Sequence, residues 1–158
     1  MASALEARDR LVAEFPKLAE TPFDVTSDPT TGYNCIAWAA DDDTQWWWPG
    51  RFWPRDIPPR VTRVAFIRAF ADRGYEVCDG PNLEDGFEKV CLYEKMGRPT
   101  HAARQLPDGS WTSKLGRDWD ISHELEGLRG KRYGSPTVYM RRPRAPAAAI
   151  EVAADEGN

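Results

Sequence analysis

Cys35 is the residue of this sequence best placed for nucleophilic chemistry. It follows the turn-forming Gly32 and a helix-capping residue type, Asn34, and it opens a short apolar segment. Backbone N–H groups at a helix start are unpaired, and the helix dipole there favours a thiolate and a developing oxyanion. The position predicts a nucleophile, although burial as a small apolar residue would also explain a cysteine there.

A cysteine nucleophile needs a base within hydrogen-bond distance, and the chain has two histidines. His101 opens the first strand of a predicted hairpin, where a rigid element can aim its ring at a neighbouring helix start. His123 falls in the first turns of a predicted helix. We therefore expect His101 to be the base. A metal site of Cys35, His101 and His123 is an alternative that lacks the close ligand spacing of zinc sites.

The predicted hairpin decides which side chain shares a face with His101. A two-residue turn at Asp108 and Gly109 places Thr112 on that face, together with Lys114. A slip of one residue places Ser113 there instead, because successive strand residues point to opposite faces. The residue that orients the imidazole thus stays open between the two registers.

Two carboxylates follow the hairpin and could also orient the imidazole. Asp118 and Asp120 can each accept a hydrogen bond from one ring nitrogen, which leaves the other nitrogen free to take the thiol proton. Asp120 could equally cap the following helix, and Asp118 could be a solvated turn residue. The predicted catalytic residues are therefore Cys35, His101, Asp118 and Asp120, with Ser113 and Thr112 as alternatives for the third residue.

Helices in the first half and strands in the second half would carry these residues. Apolar spacing and capping residues predict helices over 3–15, from Cys35 to about Ala40, over 63–73 with Thr62 as cap, and over 121–129. Residues 21–32 and the tryptophan- and proline-rich residues 44–61 are predicted loops. Strands are predicted over residues 75–78, 87–94, 101–106, 110–116 and 137–140.

Composition limits the class of protein. The 158 residues carry a net charge of -4 and no dominant basic block, so we expect neither nucleic acid nor membrane as a partner. No signal peptide or long apolar run is evident, which predicts a cytoplasmic location. Three cysteines without a CxxC pair predict free thiols. We expect one domain over 1–143 and a disordered tail over 144–158.

The segments Asn34 to Ala39 and His101 to Trp111 resemble the cysteine-bearing helix start and histidine-bearing strand of NlpC/P60-type and other papain-like cysteine hydrolases. The tryptophan run at 46–48 and residues 111–116 also resemble a family of uncharacterised bacterial domains, over roughly residues 30–142. The resemblance implies that Cys35 is the nucleophile and His101 the base. The order of the predicted elements, helices first and then strands, indicates an α+β fold with N-terminal helices packed on a four- to five-stranded antiparallel sheet, and the resemblance implies that this fold is papain-like.

The predicted function is a cysteine-dependent hydrolase or acyltransferase that acts on an amide or ester bond, with a peptide or other amide-bearing substrate and no cofactor or metal. The tryptophan loop lies between nucleophile and base in the sequence and could wall a cleft. The alternative is a non-catalytic protein-binding domain that uses this loop as its interface. The predicted substrate-binding residues are Asn34, Trp38, Trp47 and Trp48.

Overall fold

A computed structural model describes residues 4–115 and 118–144. Three α-helices are found in this part of the chain: α1 (Ala4–Glu14), α2 (Cys35–Ala39) and α3 (Arg63–Ala71). Asn34 caps α2 and Thr62 caps α3, each by accepting a hydrogen bond from the backbone N–H three residues on. The predictions of these three helices are confirmed.

Besides two short 3-10 helices, Pro16–Ala19 and Leu125–Leu128, the described residues form a single antiparallel sheet of seven strands. These are β1 (Phe23–Val25), β2 (Glu76–Cys78), β3 (Phe87–Lys95), β4 (Arg98–Gln105), β5 (Trp111–Lys114), β6 (Asp120–His123) and β7 (Ser135–Pro143). Their order across the sheet is β1-β6-β5-β4-β3-β7-β2. The predicted papain-like α+β fold, with helices on four or five strands, is wrong: this is a β-rich fold with a few short helices.

The sheet separates two hydrophobic cores. Helix α1 packs on one face, against Cys91, Tyr93, Ala103 and other strand residues. Helices α2 and α3 pack on the other face, against Leu92, Ala102 and their neighbours. Consecutive residues of a strand point to opposite faces, so β3 and β4 supply both cores. The buried runs in these two strands reflect this double coverage.

Two strands were not predicted as such. The predicted helix over 121–129 is wrong, because residues 120–123 form β6, which pairs with both β5 and β1. Only a short 3-10 turn, Leu125–Leu128, follows it. Strand β1 lies inside the predicted loop 21–32. Both strands owe their conformation to partners that are distant in the chain, and such partners leave little local signal.

The hairpin between β4 and β5 adopts the slipped register. Arg104 pairs with Thr112, and Leu106 and Ser110 are joined by a backbone hydrogen bond of 2.8 Å. Gly109, with φ at +93°, is the last residue of a three-residue loop. Ser113 therefore shares a face with His101, as the second of the two predicted registers requires.

No helix in residues 4–115 and 118–144 has the length and apolar character needed to cross a membrane. Residues 44–61 contain no helix or multi-residue strand, in agreement with the predicted aromatic loop. The predicted tail falls, apart from Arg144, outside the described residues.

Candidate active site

Cys35 is the first residue of α2 and is positioned by the residue before it. The Asn34 Oδ1 atom accepts hydrogen bonds from the N–H of Ala37, at 3.2 Å, and of Trp47, at 2.9 Å. The Asn34 amide group also donates to the Trp47 carbonyl oxygen at 2.9 Å. One buried side chain thus caps the helix and ties the tryptophan loop to it. The position of the thiol relative to the loop is fixed by this residue.

The Cys35 thiol is nearly inaccessible, with 7% of the residue exposed. Burial raises the pKa of the thiol from 9.0 to about 11. Hydrogen bonds from the backbone N–H groups of Ala102, Ile36 and Cys35 itself, together with the charge of Lys114, oppose that rise in the pKa. The thiol is therefore protonated at neutral pH, but its surroundings contain groups that stabilise negative charge on sulfur.

Cys35 lines a cavity of about 470 Å³. Its walls are mostly apolar, with three aromatic side chains and two guanidinium groups among the lining residues. The lining residues are Asn34, Cys35, Trp46, Trp48, Arg51, Thr100, Arg132 and Tyr133. A cavity of this size, with apolar walls and a few polar groups, is typical of a small-molecule or peptide side-chain site.

His101 belongs to a buried chain of three hydrogen-bonded side chains. Its Nε2 atom lies 2.9 Å from Ser113 Oγ, which lies 2.7 Å from His123 Nε2. His123 Nδ1 lies 2.8 Å from the carbonyl oxygen of Glu124. The three side chains come from β4, β5 and β6, so the sheet itself sets their spacing. Burial lowers the pKa of His101 well below 6.5 and that of His123 to about 4, and both rings are neutral.

The hydrogen-bond partners determine which nitrogen of each neutral ring carries the proton. The Glu124 carbonyl can only accept, so His123 Nδ1 carries the proton and its Nε2 is an acceptor. The Ser113 hydroxyl has one hydrogen, which it donates to His123, so it accepts from His101 Nε2–H. His101 Nδ1 is then left with an unprotonated lone pair. That atom is buried and has no hydrogen-bond partner in the described part of the chain.

The structure does not join Cys35 to His101 by a hydrogen bond. Cys35 packs in the core on the α2 side of the sheet, whereas the His101 ring packs on Tyr93 and Tyr133 of the other core. The backbone N–H of Ala102, the neighbour of His101, nevertheless acts to lower the pKa of the Cys35 thiol. Tyr133 stands between the two groups: it lines the cysteine cavity and stacks on His101, with ring centroids 4.0 Å apart.

The two predicted carboxylates contact other groups. Asp120 Oδ2 accepts from the hydroxyl of Tyr33 at 2.7 Å, and its Oδ1 is buried without a hydrogen-bond partner among the described residues. The Asp118 carbonyl oxygen accepts from the Lys114 ammonium at 2.6 Å. Burial lowers the pKa of Lys114, while the charges of Asp120, Asp118 and Cys35 act to raise it. Among the described side chains, Ser113 is the one that hydrogen-bonds to His101, and the orienting role predicted for the two carboxylates stays a prediction.

Of the four predicted substrate-binding residues, Asn34 and Trp48 line the cavity. Trp47 is a core residue whose indole N–H donates to Asp42 Oδ2 at 2.8 Å. Trp38 packs beside Tyr33, under the guanidinium of Arg104. The cavity residues that were not among the predicted binding residues come from the tryptophan loop and from two later segments of the chain. They are Trp46, Arg51, Thr100, Arg132 and Tyr133.

His101 and His123 meet on Ser113, and Cys35 lies in the other core, so the alternative metal site is not assembled. The described residues contain no group of three or more histidine, cysteine, aspartate or glutamate side chains that could hold a metal ion. A larger cavity, of about 720 Å³, opens beside His123 and contains neither Cys35 nor His101.

Most of the sheet, and every residue that lines the Cys35 cavity, falls within the part of the chain that matches a known family. The family model described as "Domain of unknown function (DUF7689)" matches residues 24–141. The chain belongs to this family. No curated protein and no solved structure matches it.

Proposed function

We propose that the protein is a cysteine-dependent hydrolase or acyltransferase in which Cys35 is the nucleophile and His101 the base. The observation that carries the proposal is that His101 Nδ1, a buried hydrogen-bond acceptor, has no donor among the described residues. A buried acceptor without a donor is costly unless a partner reaches it at some stage. The residue after His101 is Ala102, whose backbone N–H acts to lower the pKa of the Cys35 thiol, so a thiol with a proton to give lies close to the same strand.

The reaction begins with transfer of the Cys35 proton to His101 Nδ1. The sulfur then attacks a carbonyl carbon, and backbone N–H groups near the sulfur stabilise the oxyanion. The His101 proton passes to the leaving amine or alcohol as the C–N or C–O bond breaks, which leaves a thioester. Water or an acceptor amine gives a proton to Nδ1 and attacks the thioester, which restores the thiol. Sγ and Nδ1 belong to the cores on opposite faces of the sheet, so the first step requires a rearrangement that brings them within hydrogen-bond distance.

A second candidate function is binding without catalysis, through the tryptophan loop. It is favoured by the packing of Cys35 and His101 in separate cores. The cavity walls from Trp46 and Trp48 would then hold an apolar side chain of a protein partner.

Acyl-enzyme formation from 4-nitrophenyl acetate separates the two functions. We expect a burst of nitrophenol and an acetyl group on Cys35, detected by peptide mass spectrometry. Cys35→Ala should abolish both, His101→Asn should slow the burst at least tenfold, and Cys78→Ala should match the wild type. Acetylation spread evenly over the cysteines, or a burst indifferent to His101→Asn, would contradict the catalytic proposal and leave the binding function.

A further inference from the structure

The Cys35 cavity carries positive charge that the protein neutralises only in part. Arg51 and Arg132 both line it, and no aspartate or glutamate is among its lining residues. Arg132 forms an ion pair with Glu14, outside the lining. Arg51 forms no ion pair with a carboxylate of the described residues. The chain as a whole is acidic, so this cationic wall is a local feature.

Arg51 is held against an aromatic surface. Its guanidinium lies over the ring of Trp46, 5.4 Å from the ring centroid. Stacking on an indole leaves the planar edge of a guanidinium free to donate paired hydrogen bonds. A carboxylate matches that edge with two oxygens, and such charge-assisted pairs are among the stronger polar contacts of proteins. The other walls, from Trp48 and Tyr133, suit an apolar or aromatic body.

We propose that this cavity selects a ligand with an apolar or aromatic body and a carboxylate, and that Arg51 binds the carboxylate. The inference rests on the proposed function, because it names the substrate class of the same site: an amide or ester whose acyl side bears an acidic group. Arg132 adds a weaker contribution, because its charge is shared with Glu14.

Alkylation of Cys35 by two reagents that differ in charge tests the selectivity. Iodoacetate carries the carboxylate and iodoacetamide is its neutral counterpart. The quantity compared is the rate constant for iodoacetate divided by that for iodoacetamide. We expect Arg51→Gln to lower this ratio about fivefold at low salt. Arg55→Gln is the matched control, because Arg55 is an exposed arginine of the same loop that does not line the cavity, and its ratio should equal that of the wild type. A ratio unchanged by Arg51→Gln would overturn the proposal.

An equilibrium measurement covers the case in which Cys35 reacts with neither reagent. Phenylacetate should shift the indole N–H resonances of Trp46 and Trp48 in an NMR titration, whereas phenylacetamide at the same concentration should not. Equal shifts from the two compounds, or binding of phenylacetate that Arg51→Gln leaves unchanged, would overturn the proposal. His101→Asn should keep the preference for phenylacetate, so failure of catalysis and failure of carboxylate selectivity give different results.

Discussion

The hydroxyl oxygen of Ser113 lies 2.9 Å from His101 Nε2, and it is the only described side-chain atom that hydrogen-bonds to that ring. The same oxygen lies 2.7 Å from His123 Nε2. A single hydroxyl can donate to one ring and accept from the other, so it fixes the proton positions of both histidines.

The tautomers inferred from this chain are directly measurable. In 15N NMR spectra, His101 should carry its proton on Nε2 and His123 on Nδ1. Ser113→Ala removes the link and should release His101 from the Nε2–H form, with a loss of about 1–3 kcal/mol of stability from the unsatisfied nitrogens. Ser113→Thr keeps the hydroxyl and should retain both tautomers. Protonated Nδ1 on His101 in the wild type would contradict the inference.

The buried histidines should make the fold sensitive to mild acid. The pKa of His123 is about 4 in the fold and 6.5 in a free chain, so the unfolded state binds more protons between these values. Stability therefore falls as the pH drops from 6.5 toward 4, by about 2 kcal/mol for His123 by pH 5. His101 shifts in the same direction. Urea unfolding between pH 7 and pH 5 measures how steeply the free energy of unfolding changes with pH. This slope should decrease in His123→Gln. An unchanged slope in that variant would exclude His123 as its source.

The charge of Lys114 should contribute to the acidity of Cys35. It is a fully buried lysine, and its charge lowers the pKa of the Cys35 thiol. Lys114→Met should raise that pKa further and slow the alkylation of Cys35 by iodoacetamide at pH 8 about fivefold. Lys89→Met is the control, because Lys89 is also buried but pairs with Glu84 at 3.1 Å, away from the cavity. Equal slowing in both variants would indicate a general loss of structure.

Gly134 should be essential for the position of Tyr133. It has φ at +80°, exchanges two backbone hydrogen bonds with Gly130, and an added Cβ would collide with the backbone of Glu94. Gly134→Ala should cost about 3 kcal/mol or more and alter the fluorescence of Tyr133 and its neighbours. Gly86→Ala has a similar φ of +82° in open space, so it isolates the backbone strain at about 1 kcal/mol. If denaturant unfolding shows a similar loss of stability in Gly134→Ala and Gly86→Ala, the collision with Glu94 is contradicted.

Short-range signals in the sequence were sufficient to predict helices α1, α2 and α3 and the position of Cys35 at the start of α2. Asn34 and Thr62 are capping residues whose hydrogen bonds lie within three positions, so their effect is readable locally. For the residues of β6, local signals predicted the wrong structure. Asp120 before Ile121 looks like a cap before a helix, but pairing with β5 and β1 makes the segment a strand.

The arrangement around His101 could be predicted only in part. Both hairpin registers were compatible with the sequence, and the three-residue loop ending at Gly109 selects the one that brings Ser113 to His101. His123 reaches the hydroxyl of Ser113 only because β6 is a strand that pairs with β5. Tyr133 and the two cavity arginines come from loops whose course depends on the packed sheet, and no local pattern marks them.

Each edge of the sheet is formed by a three-residue strand, β1 at one side and β2 at the other. An edge of that length offers few unpaired backbone groups to a strand from another molecule. Growth of this domain into sheet-extended oligomers or fibrils is thereby disfavoured. The long strands β3, β4 and β7, which would be hazardous at an edge, lie in the interior of the sheet.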